Sequence, residues 1–70
     1  MVKVISKNLV ELSPDEVVEE IVVEERIFFI KFRSTYRKVH GTIFRYKNGR
    51  YREIDWRDND VKNYFKLPIE

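Results

Sequence analysis

The chain has 70 residues with 14 basic and 12 acidic side chains, no cysteine, and a hydrophobic fraction of 43%. This length predicts one small domain over residues 1–70, and the missing cysteine excludes disulfides, thiol nucleophiles and cysteine-ligated zinc. The hydrophobic fraction is too high for a disordered chain, and without a signal peptide or a bilayer-spanning apolar run we expect a cytoplasmic protein that does not contact membranes.

The N-terminal part of the chain predicts two short strands. Residues 2–5 and 9–12 are rich in β-branched and aliphatic side chains, which favour extended structure. Lys7-Asn8 lies between them and predicts a turn.

An acidic helix is predicted next, over residues 14–24. It begins with Ser13-Pro14-Asp15-Glu16, in which serine caps the helix, proline is tolerated at the first position and Glu16 completes a capping box. At helical spacing the apolar side chains share one face; these are Val17, Val18, Ile21 and Val22. The alternative is a strand, which the segment does not favour because its apolar residues lack a period of two.

Residues 26–33 predict a strand. Its alternating apolar side chains, Phe28, Ile30 and Phe32, are expected to face the core. Residues 34–38 are polar enough to predict a loop.

A hairpin is predicted around Lys47-Asn48-Gly49-Arg50. Residues 39–46 and 51–56 flank this turn, and Asn-Gly between two strands is the strongest short-range signal of a hairpin. The turn fixes the register. Tyr46 is then opposite Tyr51, and Arg45 is opposite Arg52.

The chain ends in a predicted short helix over residues 59–66. Asp58 caps it, and Val61, Tyr64 and Phe65 share its apolar face. The predicted fold is α+β: a three-stranded antiparallel sheet, plus a short N-terminal strand or hairpin, packed with the acidic helix and the short C-terminal helix.

The net charge of +2 conceals a strong segregation of charge along the chain. Residues 1–25 carry a net charge of −5, residues 26–52 carry nine basic and no acidic side chains, and residues 53–70 carry −2. A run of this length without a carboxylate favours a polyanionic partner. The alternative is that the acidic segment folds against the basic one and neutralises it through ion pairs within the protein.

Residues suited to catalysis or metal binding are few. His40 is the single histidine, so neither a nucleophile–base pair nor a histidine-based metal site is expected. Asp55, Asp58 and Asp60 resemble a carboxylate cluster for Mg²⁺, although a turn and a helix cap are the favoured explanation of these residues. We predict no enzymatic activity, no cofactor and no metal.

Basic and aromatic residues interleave along the predicted sheet. Lysine and arginine neutralise phosphates and release counterions, which gives salt-dependent affinity, and exposed aromatic rings stack on bases. The predicted nucleic-acid-binding residues lie at the hairpin tip and in the 31–38 segment. They are Lys31, Arg33, Tyr36, Arg37, Lys38, Arg45, Tyr46, Lys47, Arg50, Tyr51 and Arg52.

Residues 40–51, with the sequence HGTIFRYKNGRY, are similar to a hairpin in the arm-site-binding domains of phage-type integrases. In that family a glycine, a small residue and an isoleucine lead into a basic turn, and a three-stranded sheet enters the major groove of DNA. The resemblance implies that this hairpin contacts DNA. It is confined to these residues, and the predicted acidic helix departs from the family's pattern.

The sequence therefore predicts a small non-enzymatic nucleic-acid-binding protein, with DNA favoured over RNA, that acts through its basic hairpin. The alternative is an accessory subunit of a larger replication, transcription or viral complex, which binds a protein partner or a second copy of itself. Charged residues make up 37% of the chain, a composition typical of proteins from hot environments, so a thermophilic archaeal or viral source is expected.

Overall fold

The fold is a five-stranded antiparallel sheet with one short helix. The computed structural model describes the backbone of residues 2–54 and 59–70, and the side chains of residues 2–54 and 61–70. The strands are β1 (Val2–Ser13), β2 (Glu16–Ile27), β3 (Ile30–Val39), β4 (Thr42–Lys47) and β5 (Arg50–Glu53), followed by helix α1 (Asn59–Tyr64). They lie in the sheet in chain order. In the described ranges no helix is long and apolar enough to cross a membrane.

The predicted α+β fold, a three-stranded sheet packed with an acidic helix, is wrong: the sheet has five strands, and residues 16–27 form β2, which lies between β1 and β3. Five of the seven residues from Val17 to Val23 are β-branched, and such side chains lose rotamer freedom in a helix but pack well on a sheet. Ile21 and Val23 are buried on one face and Val18 on the other. A strand with apolar residues on both faces has no period of two, and this is why the pattern resembled a helix.

The predicted helix cap is a hairpin turn. Pro14-Asp15 connects β1 to β2, and both residue types are also favoured in turns. The predicted turn at Lys7-Asn8 is likewise wrong, since β1 continues through it with irregular register between Val4 and Ser6. The two short N-terminal strands are therefore one long strand.

The strand boundaries around β3 also differ from the prediction. β2 and β3 meet in a two-residue turn at Phe28-Phe29, so the predicted strand over residues 26–33 is interrupted. Residues 34–38 belong to β3 and are not a loop. The chain turns instead at His40-Gly41, where the φ angles are 49° and 80°.

The predicted hairpin at Asn48-Gly49 is confirmed. The φ angles of these residues are 53° and 82°, as a type I′ turn requires. Tyr46 is opposite Tyr51 and Arg45 is opposite Arg52.

The core lies on one face of the sheet and includes a residue of α1. Its buried side chains are Val4, Ile21, Val23, Tyr36, Ile43 and Val61, with Val2, Ile54, Tyr64 and Phe65 partly buried against them. The C-terminus returns to β1, where the amide of Glu70 donates to the carbonyl oxygen of Val4 at 3.0 Å.

The predicted C-terminal helix is present, although it ends at Tyr64. The predicted core role of the 26–33 segment is wrong, because Phe28 and Ile30 are exposed and Phe32 is only half-buried. The side chains of Asp55, Asp58 and Asp60, and with them the proposed cap and carboxylate cluster, lie outside the described residues.

Candidate nucleic-acid interface

The β4–β5 hairpin gathers four cationic side chains on one face. Arg45 is directly opposite Arg52, and Lys47 is directly opposite Arg50. Opposite residues share a face of an antiparallel pair, and so do residues two apart along a strand. We call these four residues the basic face.

The basic face has no compensating negative charge within the part of the chain whose side chains the structure describes. Like charges directly opposite each other on a sheet destabilise it, and here two such pairs are adjacent. Among the described side chains, no carboxylate lies within ion-pair distance of any of the four cations. Lys47, Arg50 and Arg52 are exposed. The basic face therefore concentrates positive charge, and three of its four side chains are exposed to solvent.

Arg45 is anchored at the inner end of the basic face. It is half-buried, and its guanidinium Nη2 donates a hydrogen bond to Oγ of Ser34 at 3.3 Å. Ser34 is itself buried in β3, with 5% of its surface exposed. This contact ties the cationic hairpin to the core side of the sheet.

The acidic strand neutralises β3, not the basic face. Three carboxylates of β2 lie opposite three bases of β3: Glu19 is opposite Lys38, Glu20 is opposite Arg37, and Glu24 is opposite Arg33. Glu20 and Arg37 form a close ion pair with Nε and Oε2 2.7 Å apart. β2 neighbours β1 and β3 in the sheet, and none of its carboxylates forms an ion pair with the basic face.

The tyrosine pair of the hairpin lies on the face opposite the basic face. Tyr46 and Tyr51 are edge-to-face with ring centroids 5.1 Å apart. Tyr51 is held in place, because its hydroxyl donates to Oε2 of Glu20 at 3.2 Å and the Arg37 guanidinium lies 4.1 Å from its ring centroid. Burial and the nearby Glu20 carboxylate raise the pKa of Tyr51. Tyr46 remains 48% exposed and is the ring of the pair that is open to a ligand.

Tyr36 is a core residue. It is 3% exposed, its ring contacts Tyr64 edge-to-face at 6.0 Å, and its hydroxyl donates to Oε1 of Glu25 at 2.8 Å. Desolvation, with the Glu25 hydrogen bond, raises the pKa of Tyr36 to about 12. Its ring is not accessible to a base, and we omit it from the interface.

The remaining predicted nucleic-acid-binding residues all lie in β3. Arg37 is engaged with Glu20 and Tyr51, and Lys38 lies 6.0 Å from the Phe65 ring centroid. Lys31 and Arg33 are exposed near the start of β3. The structure thus brings together the four hairpin cations. Tyr36 is directly opposite Arg45 but is buried, and Arg37 is engaged by Glu20.

Sequence reasoning missed one exposed apolar feature, which we call the apolar tip: the consecutive residues Ile27, Phe28, Phe29 and Ile30 at the β2–β3 turn. The segment has no glycine, proline or asparagine to indicate a turn, so the sequence predicts a continuous strand there. The available signal is the near-symmetric sequence RIFFIK, in which a basic residue flanks each side of an apolar group.

His40 lies away from the basic face. It is in the turn between β3 and β4, and its Nε2 is 3.8 Å from Oε2 of Glu16. With 81% of its side chain exposed, it is a surface residue of the turn.

Comparison of the chain with protein-family models, with curated proteins and with solved structures finds no match.

Proposed function

We propose that the protein binds nucleic acid, with duplex DNA as the favoured ligand, through the basic face of the β4–β5 hairpin. The observation that carries this proposal is the two like-charged cross-strand pairs, Arg45 opposite Arg52 and Lys47 opposite Arg50, with no described carboxylate within ion-pair distance of them. Such an arrangement is unfavourable in the isolated protein. A phosphate backbone would relieve the repulsion, and binding would release counterions from the DNA.

The basic face suits phosphate contacts more than base recognition. Exposed lysine and arginine side chains neutralise phosphates irrespective of sequence. Arg45, held by Ser34, is the cation whose position is best defined. We therefore propose binding of low sequence specificity by a protein that carries out no catalysis.

The proposal is tested by titrating duplex DNA with the protein at several salt concentrations and following fluorescence anisotropy. The logarithm of the affinity should fall linearly with the logarithm of the salt concentration. In Arg45→Ala/Arg52→Ala the slope should decrease in magnitude by roughly 2, because about 0.9 is lost for each phosphate contact.

The matched control is Lys62→Ala/Lys66→Ala, which removes the same charge from exposed positions in and after α1. It should leave the slope nearly unchanged. Absence of binding by the wild-type protein to duplex DNA, single-stranded DNA and RNA at low salt would refute the proposal.

A second candidate function, that of a protein-binding accessory subunit, is favoured by the open edge of β1. This strand has twelve residues and lies at the edge of the sheet, where the C-terminal segment contacts it at Val4 and Lys7. Long open edges accept a strand from a partner. The salt titration distinguishes the two functions, because strand addition at β1 would not depend on Arg45 and Arg52.

A further inference from the structure

The apolar tip exposes large hydrophobic side chains that have no role in the core. The exposed fractions of Ile27, Phe28, Phe29 and Ile30 are 53%, 88%, 95% and 67%. Single exposed apolar residues are ordinary on protein surfaces, but a contiguous exposed group marks an interaction site.

The turn in the apolar tip is built from residues that do not favour it. Phe28 has a φ of 56°, a left-handed conformation that suits glycine or asparagine and is strained for a bulky residue. The same chain has the favourable Asn48-Gly49 pair at the β4–β5 turn. Backbone strain is concentrated at binding sites, and the stability of the hairpin does not account for phenylalanine here.

The apolar tip and the basic face lie at the same end of the sheet. β3 runs away from the tip and β4 runs back toward it, so the 28–29 and 48–49 turns point the same way. Tyr36, seven residues after Phe29, pairs with Arg45, which precedes Asn48 by three residues. The tip therefore extends four residues farther than the β4–β5 turn, roughly 13 Å along the strand direction.

We propose that the apolar tip is a wedge for duplex DNA: when the duplex lies on the basic face, Phe28 and Phe29 insert between neighbouring base pairs and kink the helix. This inference rests on the proposed function. Inserted apolar side chains partly unstack a base step, and the resulting bend brings more of the DNA backbone against the protein.

The residues behind the tip fit this role. Arg26 and Lys31 are directly opposite each other and are placed to contact the phosphates that flank the opened step. The Nε of Arg26 also donates to the carbonyl oxygen of Phe28 at 3.4 Å, which braces the strained turn. A two-stranded ribbon is of a size that a DNA groove admits.

The charges near the tip favour DNA over an anionic membrane surface. The basic face lies to one side of the tip and extends back along β4 and β5. This arrangement fits a rod-shaped polyanion along the strands better than a flat surface across their end.

The experiment uses a duplex of about 25 base pairs with a donor and an acceptor dye at its two ends. Wild-type protein should increase energy transfer on binding, because a kink shortens the distance between the ends. Phe28→Ser/Phe29→Ser should bind roughly tenfold more weakly, with an unchanged salt slope and with energy transfer near that of free DNA. Because both side chains are exposed, this variant should fold as the wild type does, which circular dichroism checks.

The matched control is Leu9→Ser/Val17→Ser, which removes two exposed apolar side chains, 74% and 57% accessible, from the β1–β2 hairpin. It should bind and bend DNA as the wild type does. Bending retained by Phe28→Ser/Phe29→Ser would overturn the wedge and leave the basic face in place. Failure of the wild type to bind any duplex would overturn both proposals.

A parallel measurement with vesicles of phosphatidylserine and phosphatidylcholine tests the other class of partner. Under the wedge proposal the protein bound to DNA kinks it, and Phe28→Ser/Phe29→Ser does not alter association with vesicles. Vesicle binding that depends on Phe28 and Phe29, together with DNA that stays straight, would overturn the wedge in favour of a membrane contact.

Discussion

Aromatic residues within the basic segment 26–52 differ in their burial, and their neighbours in the sequence do not reveal the difference. Tyr36 lies between Thr35 and Arg37, as if on a polar surface, but it is one of the most buried side chains of the core. Tyr46 is flanked in the same way by Arg45 and Lys47 and is half exposed. The difference arises because Tyr36 lies on the core face of the sheet, opposite Arg45, whereas Tyr46 lies on the other face near the end of a hairpin.

The buried hydroxyl of Tyr36 predicts a loss of stability in alkali. Its pKa is raised from 10.0 to about 12 in the folded protein, so the fold favours the protonated form. This contribution to the free energy of unfolding is fully present below pH 10 and is lost as the pH rises to about 12. Two pKa units correspond to about 3 kcal/mol at most.

The measurement is urea unfolding of the wild type and of Tyr36→Phe between pH 9 and pH 12. The stability advantage of the wild type over Tyr36→Phe should shrink over this range, because phenylalanine has no proton to lose. An advantage that stays constant with pH would show that the Tyr36 hydroxyl titrates normally.

At the scale of elements, the β2–β3 and β4–β5 hairpins point toward the same end of the sheet but differ in the residues that form their turns. The β4–β5 turn contains Asn48-Gly49, which adopts positive φ at low cost. The β2–β3 turn contains Phe28-Phe29 and forms because twelve-residue β2 and ten-residue β3 pair along their length. In one hairpin the turn residues determine the register, and in the other the strand pairing imposes the turn.

This contrast predicts that Phe28→Asn stabilises the protein. Asparagine tolerates a φ of 56° better than phenylalanine does, and removal of the 88% exposed ring costs little burial. We expect the free energy of unfolding to rise by about 1 kcal/mol, as measured by chemical denaturation. Phe29→Asn is the control, because Phe29 does not have a positive φ; an equal gain from both variants would contradict the strain argument.

At the scale of the whole molecule, stability depends on a small core, and the charged side chains are distributed unevenly over the sheet. Among the described residues the buried cluster contains six side chains, of which Ile21 and Val23 come from β2. β2 therefore has two roles: its apolar residues form the core, and its carboxylates neutralise β3. The four cations of the basic face, at the β4–β5 end, are among the described bases that have no carboxylate within ion-pair distance.

The small core predicts a strong effect of a single truncation in β2. Ile21 is 1% exposed, and Ile21→Ala should lower the free energy of unfolding by about 2–5 kcal/mol, a large part of the 5–15 kcal/mol typical of small domains. Thermal and urea unfolding measure this loss. Val17→Ala, at a site 57% exposed in the same strand, should cost less than about 0.5 kcal/mol; similar losses in the two variants would contradict the described core.

The sequence predicted those features of the fold that depend on a few neighbouring residues. The Asn48-Gly49 hairpin and its register could be predicted because type I′ geometry selects those residue types. The four cations of the basic face then followed from the register, and a short C-terminal helix followed from its own pattern. The segregation of charge along the chain also needs no structure to be seen.

What the sequence alone did not decide depended on long-range pairing. Ser13-Pro14-Asp15-Glu16 is a favourable helix start taken by itself, yet the segment that follows is a strand because β1 and β3 bind its two edges and both its faces carry apolar residues. Tertiary structure likewise decided that the β2 carboxylates face β3, that Tyr36 is buried and that Phe28 and Phe29 are exposed. Each of these outcomes is set by which strand lies beside which, and backbone pairing between distant segments overrides the preference of a single short segment.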